Sequence, residues 1–184
     1  MSKTWLRCSY CEEQFFFPEL FWMYWTGPDD VSPSMDQSDI NVSVIKTPIW
    51  CHVCNQPSYA ERVPSLREFE KAIAIVSREL EKGTQIAVDD DLPMRSITEL
   101  KFLAQSLNLH RKGSCLCCGG YQYTKLYDDS NNLIKLKHQF CEGYFQQGWL
   151  IFSAVWSHMT IRWYDLNGKF LLEKCEGSPY PPYL

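Results

Sequence analysis

Long hydrophobic runs are missing from this chain. The most apolar segment, Phe15 to Trp25, is eleven residues long and contains Pro18 and Glu19, well short of the roughly 20 residues a membrane-spanning helix needs. The N-terminal residues run through Lys3 and Arg7 into Glu12 and Glu13 without an apolar core, so no secretory signal and a cytoplasmic location are expected. A basic excess is missing too. The 18 Lys and Arg stand against 22 Asp and Glu, a net charge of −4, which is not the balance of a polyanion-binding protein. There is no Gly-x-Ser-x-Gly elbow, no phosphate-cradling Gly-rich loop and no His-Glu-x-x-His helix. The common hydrolase, NTPase and metalloprotease chemistries therefore have no carrier, and a non-catalytic protein is expected.

What is abundant is cysteine and aromatic side chain: 9 Cys, with Phe, Trp and Tyr together at 15% of 184 residues. In a reducing compartment such cysteines favour thiolate–metal ligation over disulfides. The 45% apolar and 22% charged content is that of a globular protein, which excludes a disordered or fibrous chain.

Three segments are expected to share one compact unit. Residues 1–64 hold 4 basic and 8 acidic residues and so carry the whole net charge. Within them the turn-rich stretch from Thr26 to Ser34 reads as a long loop between strands. Residues 65–112 form a two-helix segment. Leu66, Phe69, Ile73, Val76 and Leu80 recur at helical spacing, Ser65 and Glu68 make a capping box, and Gly83 supplies a left-handed stop. Ser96 and Glu99 repeat the device for a helix from Ile97 to about Leu109, burying Ile97, Leu100, Leu103 and Leu107. Between the helices, Thr84 to Val88 reads as a short strand. Residues 113–184 read as β: a hairpin over Tyr121–Tyr127 and Leu133–Phe140, a strand over Trp149–Trp156, and a second hairpin turning on Asn167-Gly168. The fold class expected is α+β, with an N-terminal metal ribbon and two helices packed on a mainly antiparallel C-terminal sheet.

The chemistry lies in cysteine spacing. Cys8 and Cys11, Cys51 and Cys54, and Cys115 and Cys118 are Cys-x-x-Cys pairs, a spacing that lets one tight turn aim two sulfurs at one point. The first two pairs resemble the knuckles of the zinc ribbon family, which implies that Cys8, Cys11, Cys51 and Cys54 hold one Zn²⁺. The third pair and the His-x-x-Cys pair His138 and Cys141 are expected to form a second, Cys₃His site. Cys117 and Cys175 are spares, each able to replace a member of that set. His52, inside the second knuckle, reads as a surface residue, and no residue is assigned a catalytic role.

Aromatic residues beside acidic ones suggest a surface that binds another protein with a basic face, with Asp29, Asp30, Asp36, Asp39, Trp22 and Trp25 as the contacts. In overall character the chain resembles the small acidic immunity proteins of bacterial toxin systems, which implies a stoichiometric inhibitor that blocks an active site. The alternative is a zinc-ribbon nucleic-acid or transcription/translation factor, for which only His110-Arg111-Lys112 and the Lys135–His138 segment supply local basic charge.

Overall fold

In the computed structural model, residues 2–18, 20–35, 41–83, 92, 95–128, 130–151 and 158–177 are described. The two helices follow directly from their caps. In α1 (Leu66–Lys82) the Ser65 hydroxyl accepts from the Glu68 N–H, and the Glu68 carboxylate accepts from the Ser65 N–H at 2.8 Å. That N–H, with the Ser65 hydroxyl and Arg62 adding to it, outweighs the opposing effect of burial and holds the Glu68 carboxyl below its usual range. Gly83 ends the helix at φ 65°. In α2 (Ile97–Ser106) Ser96 and Glu99 form the same reciprocal pair, and Leu107 turns out of the helix at ψ 137°, so the helix ends at Ser106, three residues before the Leu109 end expected from periodicity. Only the middle of the α1 stripe is covered: Phe69 and Val76 are buried, whereas Leu66 and Leu80 stand in solvent.

Among the described residues, ten strands make three sheets. The first has β1 (Ser2–Cys8) between β2 (Gln14–Phe16) and β8 (Phe145–Ile151). The second runs in the order β10 (Phe170–Gly177), β9 (His158–Tyr164), β3 (Leu20–Trp25), β4 (Asn41–Ser43). The third places β5 (Lys46–Cys51) between β6 (Gln56–Glu61) and β7 (Tyr123–Lys125). Pairing is antiparallel except between β3 and β9, where Trp22 faces Arg162 in a parallel register. The architecture is α+β with mostly antiparallel sheets.

Every sheet joins the first third of the chain to the last. β1 pairs β8, β3 pairs β9 and β5 pairs β7. The division into 1–64, 65–112 and 113–184 therefore does not correspond to separate sheets. The expected hairpin over 121–140 is replaced by two different pairings. Tyr123–Lys125 joins β5, and the turn at Asp128 is closed by the isolated bridge of Tyr127 to Leu133 with Ile134 N–H to Leu126 O at 2.7 Å. The Asp128 carboxylate accepts from the Ser130 and Asn132 N–H groups at 2.9 Å each. The second hairpin forms as expected, with Gly168 at φ 80°. Thr84 to Val88, and residues 152–156 of the expected strand that begins at Trp149, lie outside the described residues.

The main core gathers Tyr24, Ile45, Phe69, Leu100, Leu103 and Leu116 between the helices and β3. Each of its fully buried Leu or Phe side chains stabilises the fold by about 1.5–3 kcal/mol. A second cluster, of Leu6, Trp50, Leu126 and Phe145, lies between the first and third sheets, with the Trp50 and Phe145 rings stacked 4.5 Å apart.

Candidate metal centres

Four tight turns deliver the donors. Cys8 is the last residue of β1; the turn after it is closed by Glu12 N–H to Cys8 O at 3.1 Å, and Glu12 sits at φ 62°. Cys51 likewise ends β5, and Asn55 takes φ 50°. Cys115 pairs with Ala60 through an isolated bridge, Gly119 N–H donates to Cys115 O at 2.7 Å, and Gly119 has φ 72°. In each knuckle the residue after the second cysteine is left-handed, a region open to Gly, tolerated by Asn and unfavourable for Glu. The fourth turn is built differently. His138 N–H donates to Gly143 O at 2.9 Å, and Lys137 bridges to Tyr144, bringing His138 and Cys141 together.

These turns meet in pairs across the long-range strands. Because Cys8 faces Phe145 in the β1–β8 register, Cys8 and Cys11 lie against His138 and Cys141. Because β5 is flanked by β6 and β7, Cys51 and Cys54 lie against Cys115 and Cys118. The donor atoms of each group all fall within 4.8 Å of one another. The eight expected ligands are thus the eight that cluster, but their partnership is exchanged. Cys8 and Cys11 do not share a group with Cys51 and Cys54, as the ribbon resemblance implies, because the two knuckles end strands of different sheets.

In the Cys₃His group the Cys8 and Cys141 sulfurs are 3.3 Å apart, and His138 Nδ1 is 3.3 Å from both Cys11 Sγ and Cys141 Sγ. His138 is buried among the rings of Phe15, Phe140 and Phe145. Its outer nitrogen, Nε2, faces Glu13 Oε2 at 3.4 Å, long for a direct hydrogen bond but close enough to orient the ring with Nδ1 inward. Gly143 is obligatory here, since a Cβ on it would run into Cys8 Sγ and stand 2.9 Å from the Tyr10 nitrogen.

In the Cys₄ group the Cys51 and Cys118 sulfurs are 3.7 Å apart, and Cys115 donates to Ser58 Oγ at 3.7 Å. Two sulfurs on a tetrahedral ion with bonds near 2.3 Å stand about 3.8 Å apart, whereas a disulfide requires about 2.05 Å. All nine cysteines are free thiols. Cys117 packs beside the Cys₄ group without joining it, and Cys175 is exposed on β10.

Three or four thiols at this spacing resist ionising together. Burial pushes the Cys8 thiol up, but hydrogen bonds from the Cys11 and Tyr10 backbone, aided by Cys141 and Cys11, bring it from 9.0 down to about 6. The Glu13 backbone lowers Cys11, yet burial and its Cys8 and Cys141 neighbours outweigh this and raise it. Burial, then Cys118, Cys51 and Cys117, drives Cys54 far up. One thiolate in each group makes the next harder to form, and a divalent cation removes that cost for all of them. Each group can hold a metal ion.

The expected contact residues are distributed otherwise. Trp22 and Trp25 are buried, the first against Tyr59 and the second against Ile161 and Trp163. They are core and not surface, because each packs into a hydrophobic cluster against its sheet. Asp29 and Asp30 are exposed in the loop after β3, and Asp36 and Asp39 lie outside the described residues. His52 is exposed, bonded through Nε2 to Thr124 Oγ1 at 2.9 Å. Glu13, Gly143 and the Phe15–Phe145 wall are the contributors that spacing alone does not reveal. Only the Gly two residues after Cys141 carries a sequence signal.

Fold and donor sets together define an α+β protein with, among the described residues, two four-donor clusters that could each hold a metal ion, each bringing an N-terminal knuckle against a C-terminal one. No family model, curated protein or solved structure matches the chain.

Proposed function

We propose that the chain is a zinc-stabilised, non-catalytic protein-binding module, with one Zn²⁺ in each cluster. The observation that carries the zinc reading is the closed donor set. Three or four thiolates with at most one imidazole complete a tetrahedron from protein atoms alone, leaving no position for substrate or activated water. Mg²⁺ and Ca²⁺ prefer oxygen donors, and none is among the eight ligands.

The binding reading rests on the exposed Asp29 and Asp30 in an acidic N-terminal third. An exposed acidic loop favours a partner with a basic surface. A stoichiometric inhibitor of a toxin or enzyme, of the immunity-protein kind, is the form of this function that needs no chemistry from the chain itself. The nucleic-acid alternative has less support, because Arg111 is committed to Glu61, and Lys137 to Glu142 at 2.8 Å.

Native mass spectrometry of the chain isolated gently from its host tests both parts. Two zinc ions per chain and a one-to-one complex with a basic protein are expected. Reversal of Asp29 and Asp30 to Lys should slow association and leave the melt unchanged. A chain carrying one zinc or none refutes the metal assignment; unchanged association after charge reversal refutes the steering loop.

A further inference from the structure

Beside the turn between β9 and β10 lies a cleft of about 290 Å³, lined by Arg111, Lys112, Ser114, Tyr121, Asn167 and Gly168. This is near the lower end of the range for small-molecule sites. No carboxylate lines it. Its floor is fixed from behind by Glu61, which is buried and accepts from both terminal nitrogens of Arg111 and from the Tyr24 hydroxyl. Burial works against the Arg111 charge, but the Glu61 carboxylate outweighs it and holds the guanidinium protonated more firmly than usual. Gly168 seals this arrangement: at φ 80° it lies so close that a Cβ would strike the Arg111 guanidinium. A cation locked on two sides cannot leave the cleft.

The remaining lining groups are donors without a competing anion. Lys112 is exposed, forms no ion pair among the described residues, and has its ammonium 5.9 Å and 6.0 Å from the ring centroids of Tyr121 and Tyr123. Asn167 Oδ1 accepts from Asn108 Nδ2 at 3.5 Å, which leaves its own NH₂ as a donor. The Ser114 carbonyl is taken by the Glu61 N–H at 2.9 Å, and its hydroxyl has no hydrogen bond among the described residues. Arg111 and Lys112 against Glu61 leave one surplus positive charge here, in a chain of net charge −4. Tyr121 offers a ring that is 57% exposed. A bare oxyanion would use the donors and leave both the ring and much of the volume idle.

We infer that this cleft binds a phosphate monoester joined to a planar ring, in chemical class a nucleoside monophosphate. Lys112, Ser114 and Asn167 hold the phosphate above the fixed Arg111, and the base lies on the face of Tyr121. The lining shares no residue with either four-donor group, although Ser114 and Tyr121 flank the Cys115–Cys118 knuckle, and the inference does not depend on the protein-binding reading.

The test is titration of the full-length, zinc-loaded chain with adenosine 5′-monophosphate, adenosine and inorganic phosphate, read by calorimetry and by amide shifts of Lys112, Ser114, Tyr121 and Gly168. Saturable binding of the monophosphate is expected at these amides, with adenosine and inorganic phosphate each at least about tenfold weaker, the worth of one charge-assisted hydrogen bond. Lys112→Ala should weaken the monophosphate by about the same factor without moving the melt. Tyr121→Ala should weaken it several-fold, and Tyr121→Phe should restore it. No saturation at these amides overturns the inference. So does equal affinity for adenosine, equal affinity for inorganic phosphate, or an unchanged affinity in Lys112→Ala.

Discussion

The two clusters are built from the same sequence device and differ in what surrounds it. The Cys₄ group sits among Ile49, Ala60 and the ring of Tyr123, with Cys51 and Cys115 fully buried. Its two knuckles end in Asn55 and Gly119, residues that accept the left-handed turn. The Cys₃His group forces Glu12 into that conformation and crowds Gly143 against Cys8, and it places an imidazole between aromatic rings with a carboxylate behind. The difference teaches that a four-thiolate site needs little beyond its turns, whereas an imidazole donor needs its ring wall and outer carboxylate to point one nitrogen inward.

The largest effect expected from disturbing this comparison comes from ligand loss. Cys51→Ser, at a buried donor beside the stacked Trp50, should remove one zinc and most of a site whose apparent worth is on the order of 10 kcal/mol. The third sheet should unfold, seen as loss of a cooperative melt and one zinc fewer in the native mass spectrum. Cys11→Ser, at an exposed donor, should cost less and leave the Cys₄ ion in place. Equal damage from both would mean that the clusters form one cooperative unit.

Glycine substitution should separate the two sites next. Gly143→Ala drives a methyl into Cys8 Sγ and the Tyr10 backbone, and should displace the Cys₃His metal with a stability loss of about 2–4 kcal/mol, in the range for overpacked sites. Gly120→Ala meets Cys118 Sγ and Val53 Cγ2 at 3.3 Å, a contact a small shift relieves, so the Cys₄ site should keep its ion. Competition with a colourimetric zinc chelator ranks the two.

A smaller change tests the outer carboxylate. Glu13→Gln should weaken metal binding at the Cys₃His cluster by about tenfold, the low end for a partner behind a ligating histidine. Given the 3.4 Å separation and the exposed Glu13 side chain, a larger factor is not expected. Unchanged affinity would show that the aromatic wall alone orients His138. Smallest of all, Glu12→Gly should relieve the left-handed turn at φ 62° and stabilise the chain by roughly 0.5–1 kcal/mol. Its partner Arg7 loses an exposed ion pair of 2.6 Å, which is worth little. Asn55→Gly, by contrast, should leave the melting temperature nearly unmoved.

Local chemistry is legible in this sequence and distant pairing is not. The capping boxes at Ser65 and Ser96, the stop at Gly83 and the Asn-Gly turn at 167–168 act within a few residues, so their signals lie side by side. The eight clustered donors are legible for the same reason, as four short-spaced pairs. Which knuckle meets which depends on β1 reaching β8 and β5 reaching β7, and nothing near Cys8 or Cys51 encodes that choice. The ribbon resemblance pairs neighbours in sequence, and the sheets pair the ends. Trp22 and Trp25 mislead similarly: their density next to acidic residues suggests a surface, yet both pack into core clusters, while Phe21 on the same strand stays exposed.

The pairing of ends has a consequence for biosynthesis. A nascent chain that has emerged from the ribosome only as far as Gly113 carries Cys8, Cys11, Cys51 and Cys54 but no member of either opposing pair. It holds half of each cluster and can close neither. The first quartet of donors is complete only once Cys118 has emerged, and the second only with Cys141. An interrupted translation product is left as a carrier of loose thiols, chemically distinguishable from the finished protein by any protease or chaperone that senses unfolded, metal-free chain.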